Sequence, residues 1–369
     1  MSQNNLKAEG EHMLTVCNAC RYCEGYCAVW PAMEYRRTFE PGDLNYLANL
    51  CHNCGECYYA CQYAPPHEFD VNPPLTFAKI RAQSYEQYAW PGPLAKAFRK
   101  NGLIISLISV FALIVFVYSA IAMSGGNILS RPITGGNFYQ IIPHNVLAIS
   151  FGAVSLYVLF ALLIGLGRFW QDIGEKITDL ANISALITAS KEVLRLEYLD
   201  SNGWGCTYYG EQPSQSRRWF HHFTFYGFML CLASTTVAAI YDYLFHWSAP
   251  YSYTSLPVVL GTLGGIGLLI GPAGLWLLKA RRNRDISDLK QDGMDVSFVL
   301  LLMLISLTGL LLLVLRERAL MGTLLVVHLA FVMSLFLTIP YGKFVHGIYR
   351  FAALLKYALE RNRKQCVGH

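Results

Sequence analysis

The sequence is poor in charged residues, which make up 14% of its 369 residues, against roughly 25% in ordinary soluble domains. This deficit argues against a wholly soluble protein. The first 16 residues contain no apolar core of a signal peptide, so we expect the N-terminal region to stay in the cytoplasm. No Gly-x-Gly-x-x-Gly fingerprint is present, which argues against a dinucleotide site on this chain. No Ser–His–Asp set or carboxylate pair stands out as a catalytic centre.

Cysteines, by contrast, are concentrated near the N-terminus in two runs of the form Cys-x2-Cys-x2-Cys-x3-Cys. This spacing is typical of [4Fe–4S] clusters, and two such runs in one small domain indicate a two-cluster ferredoxin. A single Cys-x2-Cys would also suit zinc, but the doubled spacing argues against zinc or disulfides. In two-cluster ferredoxins the last cysteine of each run ligates the other cluster. The expected ligand sets are Cys17, Cys20, Cys23 with Cys61, and Cys51, Cys54, Cys57 with Cys27.

The rest of the chain changes from polar and aromatic to strongly apolar, and the mean hydropathy of the whole is +0.33. We predict helices over residues 43–50, 76–88 and 183–198. The last would dock on the cysteine domain or on a partner, or would serve as a surface connector. Beyond residue 95 the sequence contains six stretches near the ~20 residues that a membrane-spanning helix needs. Those spans are predicted at 103–123, 143–166, 220–244, 256–278, 296–315 and 320–344.

The predicted fold class is therefore all-α. Residues 1–95 would form an α-helical two-cluster ferredoxin-like domain with its linker. Residues 96–369 would form a six-helix transmembrane bundle of cytochrome b type. The fourth span is rich in glycine, which favours close helix packing.

Lysine and arginine are distributed unevenly between the loops, which predicts the orientation of the spans. One side holds many basic residues, among them Arg99, Lys100, Arg217, Lys279 and Arg350, whereas the other holds only Arg131, Arg316 and Arg318. Both termini and both clusters are thus expected on the cytoplasmic side of a bacterial-type inner membrane. The same bias explains the net charge of +5 without any nucleic-acid partner.

Histidines near the ends of these spans predict haem ligands, because paired imidazoles on adjacent helices commonly bind haem b. We expect His222 or His221 to pair with His346 on the inner side, and His144 with His328 on the outer side. His328 and His346 are separated by five helical turns, or about 27 Å, on a single predicted span. One haem is the alternative, with His144 structural. No ligand role is assigned to the remaining histidines, namely His12, His52, His67, His246 and His369.

Four motifs give the chain a family resemblance: Cys-Asn-Ala-Cys-Arg-Tyr-Cys-Glu-Gly-Tyr-Cys (17–27), Trp-Phe-His-His (219–222), Gly-Thr-Leu-Gly-Gly (261–265) and Ile-Pro-Tyr-Gly-Lys-Phe-Val-His-Gly-Ile-Tyr-Arg (339–350). With these it resembles the tricarballylate/citrate-utilisation protein B family over essentially its whole length. The last motif is also similar to the cytochrome b subunits of respiratory nitrate and heterodisulfide reductases.

The resemblance implies a membrane electron carrier with two [4Fe–4S] clusters and b haem. Such a carrier would reoxidise the reduced FAD of a soluble, tricarballylate dehydrogenase-like partner and pass the electrons to membrane quinone. Two other functions stay open. One is a haem-dependent redox enzyme with its own substrate, as in a relative from cobalamin biosynthesis. The other is a metal-dependent membrane scaffold or sensor.

Overall fold

The computed structural model describes residues 3–98, 101–125, 129, 132–201, 203, 205–207 and 212–367. Arg99, Lys100 and Arg131, which entered the orientation argument, lie outside these residues. The described chain contains fourteen α-helices in the following order: α1 Gln3–Cys20, α2 Val29–Glu34, α3 Pro41–Leu50, α4 Glu56–Tyr59, α5 Pro73–Tyr88, α6 Gly92–Ala97, α7 Asn101–Ser124, α8 His144–Asp172, α9 Ile183–Arg195, α10 Ser216–Tyr243, α11 Leu256–Ala280, α12 Asp292–Val314, α13 Met321–Thr338 and α14 Val345–Val367.

The strands of the described residues form one short antiparallel pair, β1 (Cys206–Thr207) with β2 (Pro213–Ser214), in which Cys206 lies opposite Ser214. The fold is thus mostly helical, as the sequence predicts. Six helices are long and apolar enough to cross a membrane, namely Gly102–Ser124, His144–Asp172, Ser216–Tyr243, Leu256–Ala280, Leu289–Val314 and Met321–Thr338.

The sixth predicted span, 320–344, is wrong at its inner end. Helix α13 ends at Thr338, and a new helix, α14, begins at Val345. Pro340 explains the break, because proline lacks the N–H that would continue the helix and its ring clashes with the preceding turn. His328 and His346 therefore lie on two helices rather than on one continuous five-turn segment.

Helix α14, which the sequence reading missed, completes the core of the cysteine domain. Its Leu354, Leu355 and Ala358 are at most 1% exposed and belong to the same core as Tyr46 and Leu47 of α3. Apolar burial of this kind contributes about 25 cal/mol per Å². The first and last helices of the chain therefore lie in one packed unit, and the predicted division at residue 95 separates residues that share this core.

An ion-pair network holds α14 in place against α3. Glu360 accepts hydrogen bonds from Arg36 Nη2 at 2.5 Å and from the Tyr46 hydroxyl at 3.0 Å. Arg36 also pairs with Asp43 of α3. These groups are only partly exposed, so their interaction is screened less than that of a surface pair.

Helix α9, close to the helix predicted for residues 183–198, packs on α14 rather than standing alone as a connector. Ala185 and Ala189 are fully buried there, and Glu192 accepts a hydrogen bond from Arg361 of α14 at 2.5 Å. The Asn182 side chain caps its first turn by accepting from the Ala185 N–H. Ile183 and Ile187 remain exposed on its other face.

Helices α10 and α11 approach closely because α11 carries glycine where the two backbones meet. A Cβ at Gly271 would lie 2.5 Å from the backbone nitrogen of Thr224 and 2.7 Å from the carbonyl oxygen of Phe220. Small residues permit such contact between membrane helices. The position of His221, the residue after Phe220, therefore depends on this glycine.

We expect Gly271→Ala to destabilise the helix bundle by about 1–3 kcal/mol, the usual cost of overpacking. The added methyl group must push α10 away, although alanine is the better helix former. Thermal unfolding in detergent measures the effect. Gly152→Ala on α8 is the control, because a Cβ there meets no atom within 4 Å. An equal melting temperature for both variants would contradict this account of the α10–α11 contact.

Candidate metal centre and adjoining histidines

The eight N-terminal cysteines lie on helix ends and tight turns. Cys17 and Cys20 lie in the last turn of α1, and Cys51 directly follows α3. Gly55 has φ +99°, a left-handed conformation that lets the chain turn from Cys54 into α4. These turns bring consecutive thiols to one side of the backbone.

Two cavities group the cysteines across the two runs. The first is lined by Cys17, Cys20, Cys23, Cys57 and Cys61. The second is lined by Cys27, Cys51, Cys54 and Cys57. The last cysteine of each run thus faces the cavity of the other run, and Cys57 borders both.

The chemistry of these thiols suits iron–sulfur clusters better than a single ion. Among the described residues, no three His, Cys, Asp or Glu side chains are close enough to hold one metal ion. A cluster of four irons accepts thiolates that are farther apart. Burial, reinforced by neighbouring cysteines, raises the pKa of Cys23 to about 12 and that of Cys57 well above its usual value. Raised pKa values favour the protonated thiol, whereas the positive charge of cluster iron would favour the thiolate.

Cys206, which belongs to neither cysteine run, lies beside Cys54 of the second cavity. Its Sγ accepts from Arg217 Nη1 at 3.8 Å. Burial and the neighbouring Cys206 raise the pKa of Cys54 to about 12. The single cysteine gave no spacing signal in the sequence, because the β1–β2 pair brings it to Cys54 from 152 residues away.

Arginines from four separate parts of the chain hold the loop 51–53, which lines the second cavity. Arg81 and Arg350 both donate to the carbonyl oxygen of Cys51, at 2.7 and 2.6 Å. Arg217 and Arg282 both donate to the carbonyl oxygen of Asn53, at 2.8 Å each. Positive charge next to a cluster favours its reduced form, because reduction adds negative charge.

His52 is the residue of this loop that sequence reasoning left unassigned. It is 6% exposed, and neither ring nitrogen has a hydrogen-bond partner. Burial, with the charges of Arg350 and Arg217, lowers its pKa well below the usual value, so the ring is neutral. His52 directly follows Cys51 and faces the bundle, where the next two imidazoles lie.

His221 and His346 face each other across the interface between α10 and α14. Their ring centroids are 6.2 Å apart and the ring planes are inclined by 75°. The His346 Nδ1–H donates to the carbonyl oxygen of Lys343 at 2.5 Å, which leaves Nε2 free for a ligand. The Nδ1 of His221 is buried without a partner. Burial, with Lys343 and Arg350, lowers the pKa of His346 well below its usual value, as neutral-imidazole ligation requires.

The structure distinguishes between the two candidate histidines on α10. The ring of His222 stacks on Tyr226, with centroids 5.7 Å apart and planes inclined by 13°, and it also borders Trp219. Only His221 points toward His346. Two facing imidazoles with this placement would suit a single haem, which His221 and His346 would hold.

The two outer histidines are not brought together. His144 Nε2 lies 3.3 Å from Asp242 Oδ2, and its ring packs against Tyr139 and Tyr243. His328 Nδ1 lies 3.0 Å from the Thr308 hydroxyl. Among the described residues no ring contact joins His144 with His328, and the second haem stays a prediction.

The fold and the cysteine cavities define a class: a mostly helical protein with six helices long and apolar enough to span a membrane and a ferredoxin-like domain, which implies electron transfer. The family model described as Citrate utilization protein B matches residues 96–367, and its Fer4-like domain matches residues 10–87. The chain therefore belongs to the citrate utilization protein B family.

A curated relative supports the same assignment. The chain is 51% identical to the Citrate utilization protein B of Escherichia coli over 363 residues, which is 98% of this chain and 94% of that protein. No solved structure matches. The resemblance seen in the sequence is thus confirmed at the level of the family.

Proposed function

We propose that this protein is a membrane electron carrier. It takes electrons from the reduced FAD of a separate dehydrogenase, passes them through two [4Fe–4S] clusters and one b haem, and delivers them to membrane quinone. The observation that carries the proposal is the loop 51–53, because it connects the second cysteine cavity with the facing imidazoles of His221 and His346. Clusters split the two-electron chemistry of flavin into single steps.

The residues of this chain have separate roles in that path. The cysteines would bind the clusters, and Cys57 borders both cavities. Arg81, Arg217 and Arg350 would fix the intervening loop and attract negative charge. His221 and His346 would hold the haem, which supplies a one-electron acceptor between the clusters and the membrane. The neutral state of these buried imidazoles keeps them available as ligands.

The same-side placement of α1 and α14 supports the proposed orientation. Both helices belong to the cysteine domain, so both ends of the described chain lie on one side of the bundle. That side also carries Lys279, Arg282 and Lys343, in keeping with the basic bias of cytoplasmic loops. We infer that the domain faces the cytoplasm of a bacterial-type inner membrane, where it would meet a soluble or peripheral FAD-dependent dehydrogenase.

The proposed electron path is tested with the whole protein in phosphatidylcholine vesicles. After anaerobic reduction by dithionite and removal of the excess, decylubiquinone should reoxidise both the cluster and the haem absorbance. Cys54→Ala should lose the second cluster and slow haem reduction by a reduced flavoprotein at least about tenfold, because the intermediate site is missing. Rapid-mixing absorption spectroscopy measures both steps.

Two outcomes would contradict the proposal. Clusters that never exchange electrons with haem would favour the scaffold or sensor. A high-spin haem that binds carbon monoxide would show an open coordination position and favour a haem enzyme with its own substrate. Because His221 and His346 face each other, we expect a low-spin haem that does not bind carbon monoxide.

A further inference from the structure

A separate cavity of about 240 Å³ lies at the end of the bundle next to the cysteine domain. Helix α5, the end of α11, the start of α12 and Lys343 form its walls. None of the five histidines proposed as haem ligands borders it. Its lining combines aromatic side chains, Tyr85 and Trp276, with charged ones.

One residue of the cysteine domain connects the cavity with the second cluster position. Asn53 lines both this cavity and the one that contains Cys51 and Cys54. The Oδ1 atom of Asn53 is buried without a hydrogen-bond partner. A ligand in the cavity would therefore lie one residue away from the second cluster position.

The opposite side of the cavity opens toward the apolar surface of the bundle. Trp276, Leu289 and Val296 border the cavity and are 49%, 55% and 38% exposed. All three lie on segments long and apolar enough to span a membrane. Tryptophan at such a position is typical of the membrane interface. An apolar molecule in the bilayer would reach the cavity without crossing water.

The polar part of the cavity contains a carboxylate between two lysines. Asp295 pairs with Lys343, at 2.8 Å between Nζ and Oδ1, and with Lys279. Lys279 also lies 2.9 Å from Asp292, whose side chain is 44% exposed. The lysines are hydrogen-bond donors, and Asp292 connects Lys279 to solvent.

We propose that this cavity binds and reduces the headgroup of a membrane quinone, with Lys279 and Lys343 as donors to its carbonyl oxygens. This inference rests on the proposed function, since the clusters and the haem held by His221 and His346 must supply the electrons. Lys343, which lines the cavity, accepts from His346 Nδ1 through its carbonyl oxygen. The quinone would gain two electrons, delivered singly, and two protons from solvent, which reach the cavity past the exposed Asp292. The lysines would hold the carbonyl oxygens by hydrogen bonds, and quinol would leave into the bilayer.

This placement moves the electron exit to the inner end of the bundle. The sequence predicts an outer haem between His144 and His328. His328 lacks its expected partner, whereas the cavity adjoins the cysteine domain directly. The shorter route needs neither His144 nor His328.

Photolabelling with an azidoquinone in phosphatidylcholine vesicles tests the site without measuring turnover. We expect label in peptides covering 276–296 or Lys343, and competition by decylubiquinone. Ala82→Phe, which fills the cavity from α5, should reduce labelling at least about tenfold, equivalent to about 1.4 kcal/mol. Gln87→Phe is the matched control, because Gln87 is exposed on the same helix and does not line the cavity. Cluster absorbance verifies that both variants are folded.

The outcomes separate this inference from the function on which it rests. If decylubiquinone reoxidises the clusters equally in both variants and the label lies elsewhere, quinone is the acceptor and the site is wrong. If quinone never reoxidises the clusters of the wild-type protein, the proposed function fails, and the site with it. Labelling displaced by anionic lipid but not by decylubiquinone would identify a lipid headgroup site and overturn the proposal.

Discussion

Cys61→Ala is expected to remove the cluster held by Cys17, Cys20 and Cys23, not the one next to its own run. Iron should fall from about eight to about four atoms per chain, since each cluster contains four. The reason is geometric: Cys61 lines the cavity of the first run, whereas Cys51 lines the other. Iron and sulfide analysis, with electron paramagnetic resonance of the reduced protein, measures the loss.

The matched control for Cys61→Ala is a substitution of Cys27, the last cysteine of the other run. Cys27→Ala should give the same spectrum as Cys54→Ala, because both residues line the second cavity. Cys61→Ala should give the spectrum of Cys17→Ala. If Cys61→Ala instead matched Cys54→Ala, each run would hold its own cluster and the crossed assignment would be wrong.

His346→Ala is expected to abolish the low-spin b-haem spectrum while both cluster signals remain. The imidazole of His346 faces His221, so its removal would leave one of the two imidazoles that would hold the haem. Loss of one axial ligand converts a low-spin haem into a high-spin one or empties the site. Haem per chain and the reduced-minus-oxidised absorption spectrum measure the change. His221→Ala should have the same effect.

His222→Ala is the matched control, since His222 is adjacent in sequence and stacks on Tyr226 instead. Its haem content should equal that of the unchanged protein. His328→Ala should also leave the haem spectrum in place, because its ring lies against Thr308 and no imidazole of the described residues faces it. A haem that is lost in His328→Ala but kept in His346→Ala would overturn the assignment of the ligands.

Local features of the sequence predicted much of the helical structure. Six long apolar segments are sufficient to identify candidate spans, because a bilayer demands about 20 apolar residues for each. The helix predicted at 76–88 is observed as Pro73–Tyr88, with Asn72 as its cap. Where the prediction failed, at 320–344, Pro340 outweighed the hydrophobicity of the segment.

The histidines show the limit of reasoning from depth alone. Depth placed His221 and His222 equally well, because adjacent residues on a helix differ in direction rather than in height. It also paired His144 with His328, although their helices turn the two rings toward Asp242 and Thr308. No local pattern marked His52, because the charges beside its ring come from Arg217 of α10 and Arg350 of α14.

By itself, the sequence determined the family, the iron–sulfur character and the helical membrane class, because cysteine spacing and long apolar runs are local properties of the chain. Only the tertiary structure decided which cavity each cysteine lines, that His221 rather than His222 faces His346, and that the last helix closes the first domain. These choices depend on contacts between residues far apart in sequence. Helix rotation and packing fix such contacts, and no spacing along the chain records them.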